Sequence, residues 1–279
     1  MAGTQLRPDD AQGPPPNRTP ADRPRLSRAL AAFSAWLHAY RRVWRGSAVN
    51  TLLVPVLNLA ALGYGLGSLV NGHGGIQGLP YAQFLAPGLL ASGVMQTATD
   101  ESMFPVMGAL RWNRTYHAMT ATPLTSSDVF VGHLTYVLAR AVSSASVFTC
   151  VLWGLGLLHG PTSLLVVPFA FLLAAAFATP VMAFSVRARN DESFALLYRF
   201  VWIPMFLFAG AFFPVSQLPE WLQPVAVATP LWHGVELCRA ATLDRLSWPA
   251  VAVHVLYLVA FAVGGFVLSV RAYRGVLAR

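Results

Sequence analysis

Lysine does not occur in this chain, and that single absence removes a class of chemistry. A phosphate loop of the form GxxxxGK[ST] needs a lysine on the nucleotide phosphates, so ATP hydrolysis in cis through a P-loop is excluded. Charge is scarce as well: 11% of residues are charged, against roughly 25% in an ordinary soluble domain. Cysteine is limited to Cys150 and Cys238, which offer no disulfide framework and no metal-ligand spacing. The two are read as small apolar residues, with one disulfide between them as the alternative. The histidines (His38, His73, His117, His133, His159, His233 and His254) are scattered, with no HExxH, and neither GxSxG nor CxxC occurs. The adjacent carboxylates Asp100 and Glu101 diverge by about 100° on a helix and form no natural dyad. No enzyme constellation assembles, and no metal or cofactor is expected on this chain.

What the sequence does contain is apolar surface. Hydrophobic residues make up 56% of it, and the mean hydropathy is +0.55. A soluble fold has no place to hide so much apolar area, whereas a bilayer does. Apolar runs near helical spanning length fall at 49–69, 84–99 (continuing toward 107), within 128–158, and at 164–186, 194–215 (with Arg199 near its start) and 249–270. About 20 residues at 1.5 Å rise cross the hydrocarbon core, so the expectation is an all-α integral membrane protein of six spans. No run has the short alternation of a membrane barrel. The net charge is +8, carried entirely by arginine. Because the arginines cluster at the ends of apolar runs rather than on one basic face, a nucleic-acid partner is rejected.

Residues 1–24 are rich in Pro, Asp and Arg and lack hydrophobic pattern, which predicts a disordered cytoplasmic tail rather than a secretory signal. Leu26, Leu30, Phe33, Leu37, Tyr40 and Trp44 then recur at steps of four and three, flanked by Arg28, Arg41, Arg42 and Arg45. That profile suits an amphipathic helix in the membrane interface; a helix packed on another domain is the alternative. With the N-terminus inside, the cytoplasmic side also receives Arg111, Arg114, Arg187, Arg189, Arg271, Arg274 and Arg279, and the outside only Arg239 and Arg245. The asymmetry places both termini in the cytoplasm, in the cell (plasma or inner) membrane. The stretch 216–248, broken by Pro219, Pro224 and Pro230, is too interrupted to span and reads as short helices re-entering the outer leaflet. On it, Glu236 and Arg239 are spaced to pair. Gly63 and Gly67 allow close helix packing, within the subunit or between subunits.

Asp100, Glu101 and Arg140 stand at similar depth at the inner ends of the second and third spans. Charge near a span is costly, so Glu101 or Asp100 is expected close to Arg140. The group is either a gate or substrate-contact ring, or an ion pair fixing two neighbouring helices. Between these spans the chain reads Arg111-Trp112-Asn113-Arg114-Thr115-Tyr116-His117-Ala118-Met119-Thr120-Ala121-Thr122-Pro123-Leu124. Trp112, Tyr116 and Met119 fall on one face of a short helix that Pro123 cannot easily continue.

This loop resembles the coupling helix of ABC-2 type permeases of ATP-binding-cassette exporters, especially at Arg114-Thr115-Tyr116, Met119 and Thr122-Pro123-Leu124. A second stretch carries the same resemblance: Phe206-Leu207-Phe208-Ala209-Gly210-Ala211-Phe212-Phe213-Pro214, then Gln217-Leu218-Pro219-Glu220-Trp221-Leu222 and Thr229-Pro230-Leu231. With Trp232-His233-Gly234-Val235-Glu236-Leu237-Cys238-Arg239, it is similar to permeases of nodulation-factor (lipo-oligosaccharide) exporters and daunorubicin-type drug exporters. Ala209-Gly210 stands where that family commonly has Ser-Gly. The resemblance covers roughly residue 28 onward and assigns 25–279 to one transmembrane domain.

The resemblance implies a homodimer of permeases with separate cytoplasmic ATPase subunits, which would hold ATP and magnesium. It implies ATPase coupling through Arg111, Trp112, Arg114, Thr115, Tyr116, Met119, Thr122 and Pro123. A substrate path or gate would involve Asp100, Glu101, Arg140, Phe206, Gly210 and Phe213. The function expected is export of an amphipathic drug or lipid-linked saccharide. A proton-coupled secondary transporter using Asp100, Glu101 and Arg140, and a membrane enzyme acting on lipid, are the competing classes.

Overall fold

The computed structural model describes residues 25–40, 53–158 and 160–277. The expected tail at 1–24, the flanking Arg41, Arg42, Trp44 and Arg45, the first residues of the first span, and Arg279 lie outside the described residues, as do the side chains of Leu26 and Tyr40. Among the described residues there is no strand; a lone bridge between Ile76 and Leu79 closes a turn.

The helices follow the apolar runs. α1 is Arg25–Tyr40 and α2 is Leu53–Asn71, the latter widened into a π stretch over Leu59–Leu66. α3, Tyr81–Ser102, ends at Met103, and the short α4, Phe104–Met107, passes through a π turn to Trp112. α5 is Thr115–Thr120. α6, Ser126–Gly154, starts from a reciprocal capping box in which Thr125 and Asp128 satisfy each other's backbone donors. A 3₁₀ turn, Pro161–Leu165, leads into α7, Val166–Ser185. α8, Glu192–Leu197, continues through a π turn into α9, Ile203–Phe208. α10 is Gln223–Val227, α11 is Pro230–Thr242 and α12 is Trp248–Leu277.

Among the described residues four helices are long and apolar enough to cross a membrane: α2, α6, the run Pro161–Ser185 and α12. The other two expected spans differ for separate reasons. α3 has the length at 22 residues but carries Asp100, Glu101 and several hydroxyls, because it runs through the middle of the bundle and most of its side chains are buried. The α8–α9 run is shorter, since the chain reverses at Gly210, where φ is +80°. α3 and α7 form the interior, enclosed by α6, α11 and α12. α2 lies outside them against α3: Gly63 approaches Ala82 and Gly67 approaches Tyr81. The small-residue pair therefore packs within the subunit. Leu53, Leu57, Tyr64, Leu66 and Leu69 remain on the outer side of α2.

α1 uses two faces. Ala32 is buried against α6 at Gly132, where a Cβ would lie 2.4 Å from the Cβ of Ala32. Arg28 pairs with Asp128 at 3.2 Å, and the indole of Trp36 stacks on His133 at 3.8 Å. The packed face includes Arg28, Ala32 and Trp36 together with Phe33 of the periodic set, while Leu30, from the same expected lipid-facing set, is left exposed. Cys150 is exposed, Cys238 is buried, and both are free, so no disulfide joins them.

Candidate functional site

At one end of the bundle α5 is fastened by a single side chain. Tyr116 is fully buried, its hydroxyl 2.5 Å from Nδ1 of His133 on α6 and 3.2 Å from the hydroxyl of Tyr273 on α12. Burial, reinforced by Tyr273, pushes the Tyr116 phenol well above its ordinary pKa, so it stays a neutral hydrogen-bonding group. Trp36 on the far side of His133 links α1 to the same junction. Four elements, α1, α5, α6 and α12, therefore meet at one tyrosine.

The expected face Trp112–Tyr116–Met119 is split by this packing. Tyr116 points inward, Trp112 is 60% exposed, and Met119 is half-buried. The residue offset arises because Trp112 belongs to the π turn and the chain breaks helical phase at Arg114, whose φ is +50°. Arg111, Trp112, Asn113 and Arg114 form an exposed tip, continued by His117, Ala118 and Thr122–Pro123. Arg111 also donates to the carbonyl of Ala188 at 2.6 Å, tying the tip to the α7–α8 loop. The hydroxyl of Thr122 donates to the carbonyl of Met119 at 2.6 Å and closes α5. Between the tip and α1 lies a cavity of about 350 Å³ lined by Trp36, Phe104, Trp112, Thr115 and Met119, among others.

The three central ionisable groups come together as the sequence suggested, with a division of labour. Glu101 pairs with Arg140 at 3.2 Å, joining α3 to α6. Asp100 points elsewhere and accepts a hydrogen bond from the Tyr198 hydroxyl at the start of the π turn after α8. From Tyr198 a ladder of rings runs along α8–α9: Tyr198 to Trp202 at 5.4 Å, Trp202 to Phe206 at 5.0 Å, and Phe206 to Phe212 at 5.0 Å. Phe206 thus sits mid-ladder, while Phe213 is half-buried beyond its end. Tyr198 and Trp202 were not singled out from sequence, although their spacing of four from each other and from Phe206 was the available signal.

At the other end the reversal at Gly210 is clamped. Gly88 of α3 lets the hairpin approach, since a Cβ there would meet the Ala211 carbonyl oxygen at 2.5 Å. Arg239 of α11 is buried beneath it. It donates to the Gly210 carbonyl at 2.7 Å, pairs with Glu236 at 2.5 Å, and lays its guanidinium 4.2 Å from the centroid of Phe84. The hydroxyl of Tyr81 adds a bond to the Phe212 carbonyl at 3.2 Å. The Glu236–Arg239 pair was expected from spacing; its grip on Gly210 and Phe84 was not, because those partners lie far off in the chain.

A family profile for ABC-2 type transporters matches residues 31–243, a stretch that contains the α5 tip, the ladder and the hairpin. The chain belongs to the ABC-2 type transporter family. Nodulation protein J of Sinorhizobium fredii (strain NBRC 101917 / NGR234) is 34% identical over 242 residues, covering 84% of this chain and 91% of that protein. Nodulation protein J of Rhizobium leguminosarum bv. viciae is 32% identical over 251 residues, covering 88% and 95%. Inner membrane transport permease YadH of Escherichia coli (strain K12) is 24% identical over 250 residues, covering 83% and 91%. As an ABC-2 transporter chain, a multi-pass membrane protein of the transport machinery, it has no need of a catalytic constellation of its own.

Proposed function

We propose that this chain is the membrane permease of an ATP-driven exporter in which α5 and the preceding tip, Arg111–Arg114, receive the stroke of a separate cytoplasmic ATPase. One observation carries the reading: α5 is bonded through Tyr116 to both α6 and α12, while the residues beside it are exposed. A push on the tip therefore has a mechanical route into two helices that traverse the bundle. In this reading Arg111, Trp112, Arg114, Thr122 and Pro123 meet the ATPase, Thr115 and Met119 shape the adjoining cavity, and Tyr116 transmits. The six-span arrangement counts α3 and the α8–α9 run as crossings, with both termini cytoplasmic and 25–279 as one domain.

The transport path follows the ladder Tyr198–Trp202–Phe206–Phe212 from Asp100, Glu101 and Arg140 to the hairpin at Gly210 and Phe213, and a second copy of the chain supplies the facing wall. Stacked rings with a polar entry suit an amphipathic cargo, a drug or, as the resemblance to nodulation-factor exporters implies, a lipid-linked saccharide. A proton relay is not favoured: Glu101 is held by Arg140 and Asp100 by Tyr198, each with a structural partner. ATP and magnesium belong to the partner subunit.

The test is purification of the tagged protein from its native membrane in mild detergent. A stoichiometric P-loop ATPase is expected to accompany it and to be lost on Trp112→Asp or Arg114→Glu, with the permease's apparent Tm unchanged. Tyr116→Asp does not serve, since it buries a carboxylate in the junction and damages the permease itself. Retention of the ATPase by both exposed variants overturns docking at the tip; absence of any ATPase under several detergents overturns the exporter reading.

A further inference from the structure

A groove of about 260 Å³ lies between α6, α7 and α12, lined by Leu134, Leu138, Ala175, Thr179, Ala262, Val263 and Phe266. Its lining is hydrocarbon in effect. The one polar side chain, Thr179, already spends its hydroxyl on the carbonyls of Ala175 at 2.8 Å and Ala262 at 3.1 Å. A polar ligand would find no partner there, and an aliphatic chain would lose nothing.

The groove leads to a cation. On α12, Val263, Phe266, Val270 and Arg274 follow at steps of three, four and four; on α6, running the opposite way, Ser127, Val131, Leu134 and Leu138 follow at steps of four, three and four. Such steps form a continuous stripe on a helix. The stripes meet at the α5 end, where Nε of Arg274 donates to the Ser127 hydroxyl at 3.1 Å. That bond takes one of the five guanidinium donors and orients the rest. Arg271 stands one turn away on the same helix, and both arginines are exposed. From Val263 to Arg274 the helix rises about 16 Å, close to one leaflet of a hydrocarbon core about 30 Å thick. Asp128, the acidic residue beside Ser127, is buried and engaged by Arg28 at 3.2 Å.

We propose that this seam is a binding site for an anionic phospholipid of the leaflet on the α5 side, with an acyl chain in the groove and the phosphate on Arg274 and Arg271. The charge of Arg271 and Arg274, the latter about 12 Å along the helix from the nearest groove residue, Phe266, selects a negative headgroup over a zwitterionic one. Each basic residue near the membrane surface is worth about fivefold in such binding. The site is separate from the α5 tip and from the ladder, so it stands whatever the cargo.

The full chain, purified in detergent and exposed to equimolar phosphatidylglycerol and phosphatidylcholine, is read by native mass spectrometry for retained lipid. The wild type is expected to keep phosphatidylglycerol preferentially. Arg274→Gln should lower that retention about fivefold, and Ala175→Leu, which fills the groove floor without touching charge, should lower retention of both lipids. Arg245→Gln, which removes the same charge at the opposite end, should match the wild type. Equal retention of the two lipids by the wild type, or equal loss in Arg274→Gln and Arg245→Gln, overturns the proposal. So does full retention in a folded Ala175→Leu variant.

Discussion

The two ends of the bundle are secured in different ways. At the α5 end several separable contacts share the load: Tyr116 with His133 and Tyr273, Arg28 with Asp128, Arg111 with the Ala188 carbonyl, and, nearby, Glu101 with Arg140. At the hairpin end one guanidinium holds a backbone carbonyl, a carboxylate and an aromatic face at once, inside a slot that Gly88 keeps open. The first arrangement can be remade contact by contact as helices shift. The second is concentrated, and fails or holds as a unit. In the proposed mechanism the α5 end receives the stroke, and that end is built of bonds that can be exchanged.

The largest expected effect is at the concentrated end. Arg239→Ala leaves the Gly210 carbonyl without its partner and Glu236, 34% exposed, to water, and should destabilise by about 3 kcal/mol; a fall in apparent Tm in detergent is the measurement. Gly88→Val forces a side chain against Ala211 and should cost about 1–3 kcal/mol by overpacking. Combined, the two should be clearly non-additive, because both act on one hairpin. At the α5 end Tyr116→Phe keeps the ring and removes two hydrogen bonds, for a loss of about 1–2 kcal/mol. The smallest effect should come from Glu101→Gln, which leaves Arg140 an amide oxygen in place of the carboxylate, at about 1 kcal/mol, the gap between a charged and a neutral hydrogen bond, and it should add to Tyr116→Phe within experimental error. Additive behaviour at the hairpin, or strong coupling between Tyr116 and Glu101, would reverse the contrast between the two ends.

Much of this could be read along the chain. Spans carried by α6, α7 and α12 follow from apolar runs, and the Glu236–Arg239 pair follows from a spacing of three. Glu101 and Arg140 follow from matching depth in successive antiparallel helices. The Tyr198–Trp202–Phe206 ladder has a visible period of four, but that period alone does not distinguish rings stacked along a path from rings facing lipid. The inward turn of Tyr116 had no such signal: periodicity groups residues on a face only while one helical phase persists, and the phase breaks at Arg114.

Class and the lack of a P-loop were determined by sequence alone, because they depend on composition and on properties summed over long segments. What fills Gly132 and Gly88, what Arg239 grips, and which face of α1 is packed were decided only by tertiary structure. Those contacts join residues far apart in the chain, and a glycine or arginine is the same letter whether its neighbour is lipid, water or a backbone 2.5 Å away. Close packing makes such neighbours specific, and only the assembled helices supply them.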